Sequence, residues 1–133
     1  MSLSPGQLTM RMTRREFQDI VARALEELPP QFAEALENID IQVKWAPTPE
    51  ERRRARLHPG SDLFGVYMGI PITKRGSGYG MVAPDVIVIY QRSHERFCRT
   101  PEAMVEQARQ TLLHEIGHYM GIDEDRLREL GVG

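Results

Sequence analysis

Two histidines four residues apart, His114 and His118, bracket a glutamate in the segment His-Glu-Ile-Gly-His. If this segment is helical, side chains four residues apart project from one face, so both imidazoles can reach a single ion. Neutral imidazole is a good zinc ligand, and two of them leave room for a third protein ligand and a water. The spacing therefore predicts a zinc centre with His114 and His118 as ligands.

Glu115 lies next to this pair, where a carboxylate can reach a metal-bound water without itself binding the metal. Zinc lowers the pKa of such a water to about 7, and a neighbouring carboxylate can accept its proton as the water attacks a carbonyl. We therefore expect Glu115 to be the general base of a hydrolytic reaction.

The chain's other two histidines, His58 and His94, lie upstream of the motif, so a third ligand from the segment after the motif must be an acid. Three acidic residues follow the motif closely, namely Asp123, Glu124 and Asp125. Gly121 lets the chain turn sharply after the helix, which would return the residue six positions beyond His118 to the metal. We expect that residue, Glu124, to be the third ligand. Asp123 and Asp125 are the alternatives, and Asp123 is also placed to cap a final helix.

The motif lies near the end of a helix predicted to run from Thr100 to about Met120. Thr100 is a favoured N-cap residue, Pro101 suits the first helical turn, and Gly121 is a natural C-terminal stop. An apolar stripe faces the predicted core and consists of Val105, Ala108, Leu112 and Ile116. The histidines fall on the opposite side beside small residues, Thr111 and Gly117, which we expect to leave space for a metal and a substrate.

The remaining chain predicts an α+β fold with a small mixed sheet. Thr13 and Glu16 form a capping box at the start of a helix that Pro29 ends. The predicted elements are helices over 13–28, 30–39 and 124–130 and strands over 41–45, 63–70 and 86–90, with an exposed loop over 46–60 and a turn over 73–80. The run 86–90 is continuously apolar, as expected of a central strand.

Composition limits the class of protein. A length of 133 residues is typical of a single domain. We expect a loose tail over 1–12 followed by one domain over 13–133. Seventeen basic and nineteen acidic residues give a net charge of −2, which predicts neither a nucleic-acid nor a membrane partner. Cys98 is the only cysteine, so a cysteine-built zinc site is excluded and a cytoplasmic location is the expectation.

The extended motif from His114 to Glu124 resembles the metzincin form of the zincin motif, with an acid in place of the final histidine. Segments 63–75 and 84–92 add a similarity to small bacterial proteins, the minimal zincin-like metallopeptidases of uncertain function. The similarity covers about residues 13–133. It implies a small mixed sheet packed against the motif helix and N-terminal helices, with zinc held by His114, His118 and a nearby acid.

A zinc-dependent metallopeptidase acting on an extended peptide or protein substrate is the function that this resemblance implies. In zincins the substrate commonly pairs with an edge strand beside the metal, and the candidate strand here is 63–70. An electrophile would have to stabilise the tetrahedral oxygen, and three tyrosines are candidates: Tyr67, Tyr79 and Tyr119.

Two alternatives belong to other classes. Metal-dependent endoribonucleases of the ribosome-maturation type share the histidine spacing and a Gly-x-Asp element such as that at 121–123. They usually carry glycine in place of Glu115 and histidine in place of Glu124. A non-catalytic zinc domain is the other alternative, although purely structural zinc sites are normally closed by four protein ligands.

Overall fold

A computed structural model of the protein describes residues 11–55, 62–70 and 85–129, apart from the side chain of Glu124. The helices are α1 (Arg14–Glu26), α2 (Pro30–Ala33), α3 (Pro49–Ala55), α4 (Gln91–Phe97), α5 (Pro101–Tyr119) and α6 (Glu124–Glu129). The strands are β1 (Ile39–Lys44), β2 (Gly65–Met68) and β3 (Asp85–Tyr90), and a 3-10 helix, Glu34–Asn38, joins α2 to β1. The predicted α+β class is confirmed.

The strands of the described residues form one mixed sheet in the order β1-β3-β2. β1 pairs with β3 in parallel, from Ile39 opposite Asp85 to Lys44 opposite Tyr90. β2 pairs with β3 antiparallel, with Gly65 opposite Ile89. β3 is therefore the central strand, as its continuous apolar run predicts.

The two faces of this sheet are covered differently. One face packs against α1 and α5, and its core includes Phe17, Ile87, Ile89, Leu112 and Ile116. The other face holds a smaller apolar cluster of Leu63, Val66, Val88 and Tyr90, against which Ala55 of α3 packs. No helix of the described residues is long and apolar enough to cross a membrane.

Gly65 allows the motif helix α5 to lie close to β2. A Cβ atom at this position would come within 2.7 Å of Thr111 Cγ2 and 2.9 Å of the Val88 carbonyl oxygen. Any larger residue would therefore push the helix away from the strand, and glycine inside a strand commonly marks such an approach.

The helix boundaries predicted from capping residues agree with the structure. Thr13 Oγ1 accepts from the Glu16 N–H at 3.1 Å, and the Glu16 carboxylate accepts from the Thr13 N–H at 2.9 Å. The Thr100 hydroxyl oxygen accepts from the Ala103 N–H at 3.0 Å at the start of α5. After α5, Gly121 adopts a φ of 81°, the left-handed conformation that ends many helices.

Two predictions about secondary structure are wrong, and one helix was missed. The second helix does not reach residue 39, because Ile39 begins β1 and pairs with Asp85. The predicted loop over 46–60 contains α3, whose start is a second capping box between Thr48 and Glu51. Helix α4 was not predicted at all. The turn predicted over 73–80 and the tail up to residue 10 lie outside the described residues.

His94 of α4 is a core residue with no exposed surface. Its Nδ1 lies 2.7 Å from the Tyr90 carbonyl oxygen, so Nδ1 carries the proton in the neutral ring. The Phe17 and Phe64 rings each lie 5.2 Å from the imidazole between centroids. This burial lowers the pKa of His94 to about 4, although the bond to Tyr90 opposes the shift.

We predict that His94 makes the fold less stable in mild acid. His94 binds a proton near the ordinary pKa of 6.5 in the unfolded chain but only near pH 4 in the folded chain. The free energy of unfolding is therefore highest above pH 6.5 and decreases as the pH falls towards 4. Urea unfolding at pH 7 and 4.5 should show a loss about 2 kcal/mol larger for the wild-type chain than for His94→Gln, which keeps a donor but does not titrate. Equal losses in the two proteins would contradict this assignment.

Candidate metal centre

The last two turns of α5 carry the predicted zinc ligands and the predicted base. His114 and His118 are partly accessible, with 24% and 30% of their side-chain surfaces exposed, whereas the Glu115 side chain is 9% exposed. The imidazole rings contact each other edge to face, with centroids 4.5 Å apart and planes inclined by 72°. The helical spacing thus brings both rings to one partly open position, as predicted.

The geometry of these three residues suits a single cation. One potential ligand atom from each of His114, Glu115 and His118 lies within 4.8 Å of the other two, and this is the only such group among the described residues. Nitrogen ligands bound tetrahedrally to one zinc lie roughly 3.4 Å apart. Small side-chain rotations are therefore enough to bring the imidazoles onto one ion.

The Glu115 carboxylate is held by the backbone of β2. Its Oε1 accepts from the Tyr67 N–H at 2.9 Å and lies 3.2 Å from His118 Nδ1. Its other oxygen, Oε2, lies 3.9 Å from His114 Nε2. Strand β2 therefore fixes the direction in which this carboxylate points, before any ligand binds.

The contact between Glu115 and His118 also sets the state of the imidazole. A carboxylate oxygen can only accept, so a hydrogen bond of 3.2 Å requires the proton to be on Nδ1. In the neutral ring, Nε2 then keeps its lone pair, which is the form that ligates a metal. A carboxylate that orients a histidine in this way is a common support of zinc sites.

The side chain of Tyr67 is also held in place, by a hydrogen bond and by a ring contact. Its hydroxyl donates to Asp85 Oδ1 at 2.6 Å, and its ring packs edge-on against that of Tyr119 with centroids 5.9 Å apart. A Cβ at Gly69 would collide with the Asp85 carboxylate and the Tyr67 hydroxyl, so this glycine lets the pair form. Because the Tyr67 hydroxyl already donates to a carboxylate, it is a poor candidate for stabilising an oxyanion.

The three acids proposed for the third ligand differ in their surroundings. Asp123 Oδ1 accepts from the Arg126 N–H at 2.8 Å, which confirms that Asp123 caps α6. Asp125 pairs with Arg128 at 3.2 Å on the outside of the protein, with 87% of its side chain exposed. Glu124 is the first residue of α6, and its side chain lies outside the described part of the chain.

The prediction that small residues beside the histidines leave open space is wrong. Gly117 is buried, and the side chain of Leu127 occupies the position that a Cβ would need. Thr111 is 5% exposed, packs over Gly65 and donates to the Gln107 carbonyl oxygen. Both residues contribute to packing, because other elements cover α5 around most of its circumference.

Two parts of the site could not be identified from the motif alone. The Tyr67 N–H is a backbone group without a side-chain signature, and it lies 48 residues from Glu115 in the sequence. The role of Leu127 was also missed, although a glycine inside an apolar helix is a signal that another element packs closely against it.

Comparison with known proteins identifies the family and agrees with the fold. The family model of zincin-like metallopeptidases matches residues 36–133. No curated protein has a significantly similar sequence. Among solved structures, a conserved hypothetical protein from Thermus thermophilus is similar with a TM-score of 0.55 and 22% identity, covering 82% of this chain and 94% of that one. At this identity the likeness concerns the fold.

We predict that the contact between Tyr67 and Asp85 stabilises the strand that holds Glu115. Tyr67→Phe should lower the free energy of unfolding by about 1–3 kcal/mol, because the buried carboxylate loses a donor. Urea unfolding of Tyr67→Phe, Asp85→Ala and the double variant should give a coupling energy of at least about 1 kcal/mol. Strictly additive losses would show that the bond contributes nothing.

Proposed function

Because the chain belongs to the zincin-like metallopeptidase family, we propose that it is a zinc-dependent peptidase. In this proposal His114, His118 and Glu124 hold the zinc ion and Glu115 is the general base. The observation that supports it most directly is the convergence of both imidazoles and the Glu115 carboxylate within 4.8 Å at a partly accessible position.

The donor atoms suit zinc better than the other common cations. Two imidazoles and a carboxylate are a frequent ligand set of catalytic zinc, whereas calcium and magnesium prefer sites made of oxygen. A three-ligand site also leaves a coordination position open for a water or a substrate oxygen. These residues therefore fit a catalytic metal.

Glu124 is the acid that we assign as the third ligand. Asp123 is engaged as the cap of α6, and Asp125 pairs with Arg128 in solvent. The left-handed turn at Gly121 reverses the chain directly after the motif helix, so α6 begins close to His118 in the sequence and after a sharp bend. With the two aspartates engaged elsewhere, Glu124 is the remaining candidate of the three.

Glu115 performs the proton transfers in this mechanism. When bound, zinc supplies a Lewis acid that makes water a competent nucleophile near neutral pH. Glu115 Oε1 is held by the Tyr67 N–H, which leaves Oε2 to accept the proton of the attacking water and to deliver it to the departing amine nitrogen. Because the carboxylate is already oriented, little rearrangement is needed as the reaction begins.

The substrate in this proposal is a peptide in extended conformation beside β2. The Tyr67 N–H points to Glu115 instead of β3, so the side of β2 that faces away from β3 lies towards the motif helix. A peptide that adds to this side of the strand would carry its scissile carbonyl towards His114 and His118. Backbone pairing would then supply affinity without a strict demand on side-chain type.

The endoribonuclease alternative has weaker support. The family match is to metallopeptidase-like proteins, and Glu115 supplies the base that peptide hydrolysis by zinc requires. The net charge of −2 also lacks the excess of basic residues expected of a protein that binds a polyanion.

We predict that Glu115→Gln keeps zinc and abolishes cleavage. Glutamine can still accept from the Tyr67 N–H but cannot take a proton from water, so turnover should fall by about 100-fold or more. The measurement is cleavage of a broad peptide library by the zinc-loaded chain, read by mass spectrometry, with zinc content determined in parallel.

Two further variants separate the loss of the base from the loss of the metal. Glu106→Gln makes the same chemical change on the exposed side of α5 and should alter neither property, whereas His114→Ala should lose both zinc and cleavage. Cleavage that survives a chelator, or that Glu115→Gln retains at the wild-type rate, would contradict the mechanism. A wild-type chain that binds zinc but cleaves no peptide would contradict the peptidase and favour a non-catalytic zinc domain.

A further inference from the structure

Gly117, inside the metal-binding motif, forms a notch that a residue of α6 fills. A Cβ at Gly117 would lie 2.5 Å from Leu127 Cδ2 and 3.4 Å from both Leu127 Cδ1 and Cγ. Leu127 has no exposed surface, so its side chain has little room to rotate away from an added methyl group. The two residues fit together in this arrangement because position 117 has no side chain, and an added methyl group would force Leu127 to shift.

Leu127 is the one buried side chain among those that the structure describes in α6. The other described side chains of this helix are all exposed: Asp125, Arg126, Arg128 and Glu129. A helix of six residues has little stability of its own, so its position depends on tertiary contacts. Among the described residues of α6, Leu127 is therefore the side chain that holds the helix in place, and Gly117 is one of its neighbours.

The turn between α5 and α6 limits the orientations that α6 can adopt relative to α5. The Ile122 N–H donates to the Gly117 carbonyl oxygen at 2.9 Å, and the Gly121 N–H donates to that of His118 at 3.0 Å. This pair of bonds is the Schellman arrangement, which fixes the exit direction of the chain. The turn sets the direction of α6, and Leu127 sets its distance from α5.

We propose that Gly117 and Leu127 are positioning residues of the zinc centre. Leu127, seated on Gly117, holds α6 so that its first residue, Glu124, is presented to the metal bound by His114 and His118. The inference rests on the proposed function, since it assumes that Glu124 is the third ligand. It assigns a specific task to the glycine of the motif, which touches no ligand itself.

A role in helix stability alone predicts the opposite result. Replacing glycine by alanine inside a helix favours the helical state by up to about 1 kcal/mol. Gly117→Ala should then leave zinc binding intact or improve the stability of the folded chain. Our proposal predicts weaker zinc binding, because the added methyl group displaces Leu127 and α6 with it.

The test is the zinc affinity of the full-length chain, measured by competition with a chromophoric chelator. We expect Gly117→Ala and Leu127→Ala each to weaken zinc binding by about 10-fold or more, as loss of supporting residues commonly does. In the Leu127→Ala background the clash is absent, so adding Gly117→Ala should change the affinity by less than about 3-fold. Circular dichroism at the same temperature checks that every variant is folded.

Two results would overturn the proposal. One is wild-type zinc affinity in Gly117→Ala, and the other is an equal effect of Gly117→Ala with and without Leu127. Glu124→Ala separates this inference from the function on which it rests. If Glu124→Ala weakens zinc binding and Gly117→Ala does not, the inference fails while the third ligand stands. If Glu124→Ala binds zinc as the wild type does, the assignment of the third ligand fails, and the inference fails with it.

Discussion

The hydrogen bond from the Tyr67 N–H to Glu115 Oε1 joins strand β2 to the helix that carries both histidines. It satisfies a backbone donor that β3 does not reach, and it orients a carboxylate with 9% of its side-chain surface exposed. Such a bond requires α5 to lie directly against β2, which Gly65 permits by having no side chain towards Thr111. The chemistry of the centre thus depends on how closely one helix approaches one strand.

Glycines set the distances around the metal centre. Gly65 brings α5 to the strand, Gly117 receives Leu127 of α6, and Gly121 reverses the chain between the two helices. In each case the adjoining element occupies space or adopts a conformation that a larger residue would deny it. In the proposed zinc centre, these three glycines allow ligands from two adjoining helices to come close together.

Short-range sequence signals predicted the elements that carry a capping residue or a continuous apolar run. The cap at Thr100 and the stop at Gly121 bounded α5, and the continuous apolar run identified β3 as central. Helix α4 was not predicted because its buried residues are polar, and two of them donate to distant backbone carbonyl oxygens. Gln91 donates to that of Met12 at 2.8 Å and Ser93 to that of Leu63 at 2.6 Å. The histidine spacing predicted the convergence of the site, whereas the Tyr67 N–H has no sequence signature.

The central claim is that two imidazoles and at least one oxygen ligand bind a single zinc ion at the end of α5. X-ray absorption spectroscopy at the zinc edge of the one-to-one complex measures this coordination directly. The account predicts a four-coordinate ion with two imidazole nitrogens at about 2.0 Å, the remaining ligands being oxygen, and no sulfur. A spectrum with a single imidazole, with sulfur from Cys98, or with six water-like oxygens would contradict it.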